Sequence, residues 1–337
     1  MHYTRNMSIR KNIDKLLRKL EKEYLAHNRI EVSRSAIVHN LHFFKQLTGQ
    51  QIIPVLKGNA YGHGIQLITA AVKSEKIPYV AVDGYFEACR IREVSKQPVL
   101  IMGAIQPENF PHLNYDDFTF VVHDIASIQA LGNTKKNVKI HLECNTGMNR
   151  YGAEPEQLAE LTRLILTYNN LTLEGVMSHL ADSDGNNPET VSAAVSTFDA
   201  CVEAVRAAGA NPTMIHIAQT AGSLKARSKY ANTIRLGVGL YGINPFPKTH
   251  KLHNSLSSLH PALRLISTIT QVTNLEKGDS VSYNYTFTAP RAMQIGVLPL
   301  GYYEGVNRSL SSKGSQPPII SSTTIYSPLL VQTFDEF

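Results

Sequence analysis

Cysteine is scarce in this sequence: of 337 residues only Cys89, Cys144 and Cys201 carry a thiol, and they lie far apart. That spacing excludes a disulfide framework and a cysteine-based metal motif, and it predicts a reducing, cytoplasmic setting. Long apolar runs are missing as well. No segment approaches the length a membrane span needs, and the N-terminus has no apolar signal core. His179 and His216 have no partners at metal-ligand spacing, which argues against a metal hydrolase. There are no internal repeats. What remains, at 43% hydrophobic and 18% charged residues, is an ordinary globular composition, long enough for one large barrel and a second domain.

The net charge of +6 is unevenly placed. Much of the excess sits in Arg5, Arg10, Lys11, Lys15, Arg18, Lys19 and Lys22, against Asp14, Glu21 and Glu23. In the same stretch Ile9, Ile13, Leu16, Leu17, Leu20 and Tyr24 fall on one helical face, so the spacing predicts an amphipathic helix within residues 1–28. Its expected use is docking onto the body of the protein or a partner subunit. Nucleic acid and membrane are not expected partners, because no basic groove interleaved with aromatics accompanies it.

From residue 50 to 240 short β-rich runs alternate with helical stretches. The runs are Ile52–Leu56, Tyr79–Val82, Val99–Met102, Phe118–Val122, Val138–Glu143, Leu173–Ser178, Met214–Ile217 and Thr233–Val238, with amphipathic segments such as Glu156–Tyr168 and Glu189–Ala208 between them. This pattern predicts the α/β class, a parallel (β/α)8 TIM barrel over residues 29–248. After Pro247 the helical period disappears. Leu263–Val272 and Gln294–Pro299 are β-rich with a turn at Leu275–Asp279, which predicts an incomplete all-β domain over 249–314. Ser309–Ser327 is rich in serine and proline without an amphipathic period and is expected to be irregular.

Within the first run, Ile52 to Leu56 ends in Lys57, and a loop carrying Gly58, Gly62 and Gly64 follows. A strand that delivers a lysine to its C-terminal end places an amine where α/β barrels keep their chemistry. In a partly apolar site desolvation disfavours the ammonium form, and the neutral amine can form a Schiff base. Taken alone, the residue reads more readily as a solvated lysine at a strand end, since most lysines sit at the surface. Barrels that bind phosphorylated cofactors often hold the phosphate with the loops after strands seven and eight. Here those loops carry Thr220 and Gly237, a hydroxyl and a backbone amide that suit phosphate oxygens but on their own read as ordinary loop residues; only a family resemblance singles them out.

The run Val55-Leu56-Lys57-Gly58-Asn59-Ala60-Tyr61-Gly62-His63-Gly64 resembles the pyridoxal-phosphate lysine segment of the alanine racemase family, usually Val-Val-Lys-Ala-Asn-Ala-Tyr-Gly-His-Gly; only Leu56 and Gly58 depart from it. The segment from Glu143 to Gly152 is similar to the family's Lys-Val-Asp-Thr-Gly-Met-Gly-Arg-Leu-Gly. The resemblance runs from about Ile30 to Gly314 and implies pyridoxal 5'-phosphate as cofactor, carried on Lys57 with Tyr61, Thr220 and Gly237 at its phosphate. Arg235 would face the pyridine nitrogen; because arginine does not give up its proton, that nitrogen would stay neutral. Arg150 would contact the phenolic oxygen and the substrate carboxylate, for which a guanidinium fork is well shaped.

By the same resemblance Lys57 and Tyr283 are two bases on opposite faces of the substrate Cα. Tyr283 would reach in from the partner subunit of a homodimer with shared active sites, supported by His179. Tyr285, read on the same strand face, is the weaker candidate. Glu143 stands where many family members have a lysine that becomes carbamylated, and it is expected to hold Arg150 directly. The implied activity is interconversion of L- and D-alanine, supplying D-alanine for peptidoglycan. Two other readings stand beside it: a cofactor-binding protein with little or no catalysis, and a racemase of serine or a broader set of amino acids. Family members continue through a Cys-Met-Asp motif that this sequence lacks, which leaves residues 315–337 unmatched.

Overall fold

In this computed structural model the described residues are 25–115, 117–285, 287–306 and 330–333. The amphipathic helix expected before residue 25 and the serine- and proline-rich stretch expected to be irregular lie outside them. The chain divides into two units. One is Val32–Leu263; the other is drawn from the segments before Val32 and after Leu263.

Chain order begins β1 (Asn28–Val32), α1 (Arg34–Thr48), β2 (Gln51–Pro54), α2 (Ile65–Val72), β3 (Val80–Val82), α3 (Tyr85–Arg92) and β4 (Val99–Ile101). It continues β5 (Phe118–Val122), α4 (Ile125–Asn133), β6 (Val138–Glu143), α5 (Leu158–Leu166), β7 (Leu171–Met177), α6 (Pro188–Ala207), β8 (Met214–His216) and β9 (Thr233–Leu236). Local chemistry sets the helix starts. The Ser33 hydroxyl accepts from the Ala36 amide at 3.2 Å ahead of α1, and the Asp124 carboxylate accepts from the Ser127 amide at 2.7 Å ahead of α4. Gly49, at φ 68°, closes α1 in the left-handed conformation that glycine adopts without strain. Two crossings depart from the expected pattern. Between β4 and β5 the chain makes a 3-10 turn, Pro107–His112, with Pro111 inside it, and between β8 and β9 only Gly222–Leu224.

Strands β3 to β8 form one parallel sheet in chain order, and β9 pairs in parallel with β2. A parallel bridge from Val55 to Ala81 joins β2 to β3. On the other side the Asn232 amide donates to the Ile215 carbonyl and the Arg235 amide to that of Ala218, each at 3.0 Å. These contacts close eight strands into a barrel. Helices cover the outside through a large apolar core that includes Ile37, Phe44, Ile68, Ile91 and Phe198. A separate cluster of Ile53, Val55, Tyr79, Ala81, Leu100, Val121, Met177 and Met214 fills the inside. On β6, β8 and β9 the alternate buried positions are polar: His141, Glu143, His216 and Arg235. The barrel interior is therefore mostly apolar along β2 to β5, with Thr119 on β5 as an exception, and carries charged or imidazole groups on β6, β8 and β9.

The other unit is built of strands. β10 (Leu263–Ser267) pairs with β1, β11 (Gln271–Leu275) runs antiparallel to β14 (Met293–Leu298), and β12 (Ser280–Val281) runs antiparallel to β13 (Phe287–Thr288). β15 (Leu330–Thr333) lies parallel to β14. Leu275, Val281, Ala289 and Ile295 form its small core. Residues 249–262, assigned to the β domain from sequence, lie in the barrel unit. Leu256, Leu259 and Ala262 join the barrel's outer core, which a composition change at Pro247 does not disclose.

Candidate active site

Lys57 follows β2 directly and opens a turn in which Gly58, Asn59, Ala60 and Tyr61 all have φ between 52° and 62°. Left-handed backbone costs L-residues about 1–2 kcal/mol each, so three of these positions are strained. Hydrogen bonds hold the turn in place. The Ala60 amide donates to Leu56 at 2.8 Å, the Gly62 amide to Gly58 at 3.0 Å, and the Gly64 amide to Asn59 at 3.0 Å. The Asn59 side chain then accepts from the Ile65 amide at 2.9 Å and starts α2. The result is a fixed corner that presents Lys57 and Tyr61 to one cavity at the C-terminal end of the strands.

That cavity has a volume of about 410 Å³ and is lined by Lys57, Tyr61, Glu143, Arg150, His179, Thr220, Arg235 and Gly237 among others. The Thr220 hydroxyl accepts from the Gly239 amide at 3.1 Å, which leaves its proton to donate. A Cβ on Gly237 would come within 2.9 Å of the Tyr61 hydroxyl, so glycine is what lets the two approach. Burial, with the nearby Asp83 carboxylate, pushes the Tyr61 phenol above its ordinary pKa and keeps it a donor.

Arg235 is buried and spends its terminal N–H groups on the protein. One nitrogen donates to His216 Nδ1 at 2.7 Å and to the His216 carbonyl at 3.0 Å; the other donates to the Ser178 carbonyl at 2.5 Å and His179 Nδ1 at 3.1 Å. Nε–H has no protein acceptor among the described residues and is left for the cavity that Arg235 lines. Burial lowers the Arg235 pKa to about 10, offset by Glu143, so the residue stays charged at neutral pH. Since arginine can only donate, both histidines must accept on Nδ1. Burial, then Arg235, Arg150 and Lys57, bring the His179 pKa down to about 3, so its imidazole is neutral.

Arg150 stands on a tightly built loop between β6 and α5. Asn145 Oδ1 accepts from the Gly147 and Asn149 amides, each at 3.1 Å. A Cβ on Gly152, at φ +104°, would lie 2.5 Å from the Asn145 nitrogen, so only glycine closes this loop. Glu143 lies at the base, buried, but it makes no ion pair with Arg150 within 4 Å, contrary to the direct contact expected from sequence. The glutamate is too deep on β6 and the arginine too exposed for their short reach. They act on each other through the field: burial raises the Glu143 pKa, while Arg235 and then Arg150 pull it down.

Eight of the residues singled out from sequence thus share one cavity: Lys57, Tyr61, Glu143, Arg150, His179, Thr220, Arg235 and Gly237. Tyr283 is not among its lining residues. It belongs to the other unit, 61% exposed, and Tyr285 is 73% exposed. The strand face expected for the two tyrosines is instead a 3-10 turn, Tyr283–Tyr285, between β12 and β13. Ser282 and Tyr285 at positive φ break the extended chain there. Asp83, Tyr151, Ser183, Asp184 and Gln219 also line the cavity and were not foreseen. His216 was set aside for lack of metal partners; its partners are Arg235 and His141. Its place two residues after Met214 on a strand whose alternate residues face inward is the signal that marks it.

Residues 32–245 match the family model described as "Alanine racemase, N-terminal domain", and residues 262–324 match "Alanine racemase, C-terminal domain". The second match runs past Gly314 to residue 324, so part of the stretch 315–337 left unmatched by the motifs belongs to it. Alanine racemase 2 of Caldanaerobacter subterraneus subsp. tengcongensis is 30% identical over 306 residues, covering 87% of this chain and 78% of the relative. A solved alanine racemase of Clostridium difficile 630 superposes with a TM-score of 0.77 at 25% identity, covering 84% of this chain and 75% of that one. A histidine racemase of Leuconostoc mesenteroides subsp. sake gives a TM-score of 0.72 at 26% identity, covering 83% and 76%.

Proposed function

Because this chain belongs to the alanine racemase family, we propose that it interconverts L- and D-alanine with pyridoxal 5'-phosphate held in the barrel cavity. The observation that carries this reading is the gathering of Lys57, Tyr61, Arg150, His179, Thr220, Arg235 and Gly237 around that one cavity. Its donors fit the cofactor. Lys57 would hold it by the amine, Thr220, Tyr61 and the backbone beside Gly237 would take the phosphate, and the free Nε–H of Arg235 would meet the ring nitrogen. When bound, the cofactor supplies an electron sink for the pair left on the amino acid's Cα as its proton departs.

The protein groups then divide the remaining work. Arg150 orients the substrate carboxylate through its guanidinium fork. Arg235 donates without surrendering its proton, which leaves the ring nitrogen neutral and favours return of the proton over slower side reactions. Lys57 moves a proton at one face of Cα. Tyr283 does so at the other face, from a second copy of the chain, which makes the working species a homodimer. A cytoplasmic setting and D-alanine for the cell wall follow from the same reading. Histidine and serine in place of alanine test the breadth of the substrate range.

Two experiments test this assignment. Purified protein incubated with each alanine enantiomer in D2O should exchange Cα hydrogen and invert. Tyr283→Phe should lower racemisation by about 10²–10⁴-fold, the usual weight of a positioned acid or base, while exchange without inversion persists for one enantiomer. Cofactor absorbance without any exchange in the unmodified protein would instead indicate a binding protein. Glu143→Gln tests the second point, that Glu143 balances the Arg150 and Arg235 cations and keeps Arg150 turned to the substrate. KM for alanine should rise about tenfold, of order 1–2 kcal/mol of charge interaction. A KM that is unchanged or lower would dismiss Glu143 as a positioning group.

A further inference from the structure

A line of polar groups crosses the inside of the barrel, from the start of β6 to the cavity. Lys139 Nζ donates to Glu174 Oε1 at 2.6 Å, and the Tyr79 hydroxyl donates to Glu174 Oε2, itself receiving a bond from Thr119 at 3.1 Å. His141 Nε2 lies 3.5 Å from Glu174 Oε2, the nearest acceptor to a nitrogen that is otherwise unpartnered and fully buried. His141 Nδ1 meets His216 Nε2 at 2.8 Å, and His216 Nδ1 accepts from Arg235 at 2.7 Å.

The chain is shaped to make this line. The register of β6 against β7 shifts between Ile140 and His141, from Ile140 opposite Leu173 to His141 opposite Gly175, so Glu174 is an extra residue in a bulge. In an unbroken ladder Glu174 would stand opposite His141 and share its face; the bulge leaves Glu174 as the extra residue and sets Gly175 opposite His141. Gly175 completes the arrangement: a Cβ there would sit 2.7 Å from the His141 ring. Bulge, glycine and buried histidine pair converge on one contact.

The line also has a direction. Arg235 can only donate, so His216 Nδ1 is an acceptor and its proton is on Nε2. That proton goes to His141 Nδ1, which puts the His141 proton on Nε2, facing Glu174. Against partial burial, the nearby His141 and the hydrogen bonds from Lys139 and Tyr79 hold the Glu174 pKa at about 2, so the acceptor end is a carboxylate, not a carboxylic acid. A carboxylate cannot donate, so the reverse order of protons is blocked at this end just as Arg235 blocks it at the other.

We propose that Glu174 is a positioning residue: its carboxylate fixes the tautomers of His141 and His216, and through them the placing of Arg235 at the cofactor site. The substitution Glu174→Gln removes one of the two blocks and leaves Arg235 as the only group opposing the reverse order. Its side-chain amide can donate to His141, which lets both histidines carry their protons on Nδ1, and a proton on His216 Nδ1 opposes the N–H of Arg235. Arg235 then loses its best acceptor and shifts in the cavity. The catalytic consequence rests on the racemase reading; the proton order does not.

The test is 15N NMR of histidine side chains in the full-length protein, with and without pyridoxal phosphate, alongside the absorbance of the bound cofactor and steady-state racemisation. In the unmodified protein His141 and His216 should both be neutral with the proton on Nε2. In Glu174→Gln the Nδ1-protonated form should appear at both, the cofactor band should shift, and kcat should fall about tenfold with KM within twofold. Glu174→Asp, which keeps a charged acceptor, should restore the Nε2 tautomers. A His216 proton on Nδ1 in the unmodified protein overturns the proposal whatever the variants do. So does a Glu174→Gln protein with unmodified tautomers and cofactor band. Normal tautomers in a protein that turns over no alanine would refute the assigned activity and leave the proton order standing.

Discussion

Lys57→Ala is expected to lower alanine racemisation by about 10³-fold or more, because it removes both the amine that would hold the cofactor and the base at one face of Cα. The loss should come without unfolding. Lys57 is half-buried and is not among the residues with positive φ. The strained turn that follows is held by backbone bonds that Lys57 does not supply from its side chain: Leu56 to Ala60, Gly58 to Gly62 and Asn59 to Gly64. Alanine therefore deletes the amine while the corner stays closed, and the cavity keeps Tyr61, Thr220 and Gly237 for the phosphate. Such a protein should bind pyridoxal phosphate reversibly, lose it on gel filtration, and melt within a few degrees of the unmodified chain. Racemisation within tenfold of normal would remove Lys57 from the chemistry.

The residues that govern this outcome were readable in the sequence to different degrees. The eight barrel strands follow from apolar runs and their spacing, and the structure places a strand overlapping each of them. Lys57, Thr220 and Gly237 could be assigned to strand-end loops because position along a barrel strand decides which end a residue meets. Contacts between strands are another matter. His141 and His216 are 75 residues apart and carry no motif, and Glu174 meets them beside a bulge that no pattern of residues announces. The charges of Glu143 and Arg150 were legible and their separation was not, since that depends on how far a glycine-closed loop lifts the arginine. Tyr283 and Tyr285 sit in a sequence that alternates like a strand, yet the flanking strands have two residues each and the backbone turns between them.

Lowering the pH from 7.5 to 5 should take about 2 kcal/mol from the stability of the barrel unit through His179, and more through His216, out of a typical 5–15 kcal/mol for a folded domain. The cause is the imidazoles that serve the cavity. His179 is held at a pKa of about 3, first by burial and then by Arg235, Arg150 and Lys57, while burial and Arg235 hold His216 well below its ordinary value. In the unfolded chain both return to about 6.5, so below that pH the unfolded chain takes up protons that the folded one refuses. Each contribution is complete above pH ~6.5 and shrinks as pH falls; for His179 the loss reaches about 2 kcal/mol at pH 5, and His216 loses in the same direction. His141, shifted in the same direction by burial, adds to the loss. Glu143 opposes it, because burial raises its pKa and the folded form gains a proton sooner than the unfolded one. Glu174 enters only below about pH 4.5, the ordinary value from which it is lowered. Urea titrations of the cofactor-free protein at pH 7.5, 6 and 5 measure the slope. His179→Gln should keep an acceptor for Arg235 and reduce the drop, and a midpoint that does not move between pH 7.5 and 5 would mean that these histidines already carry their protons in the fold.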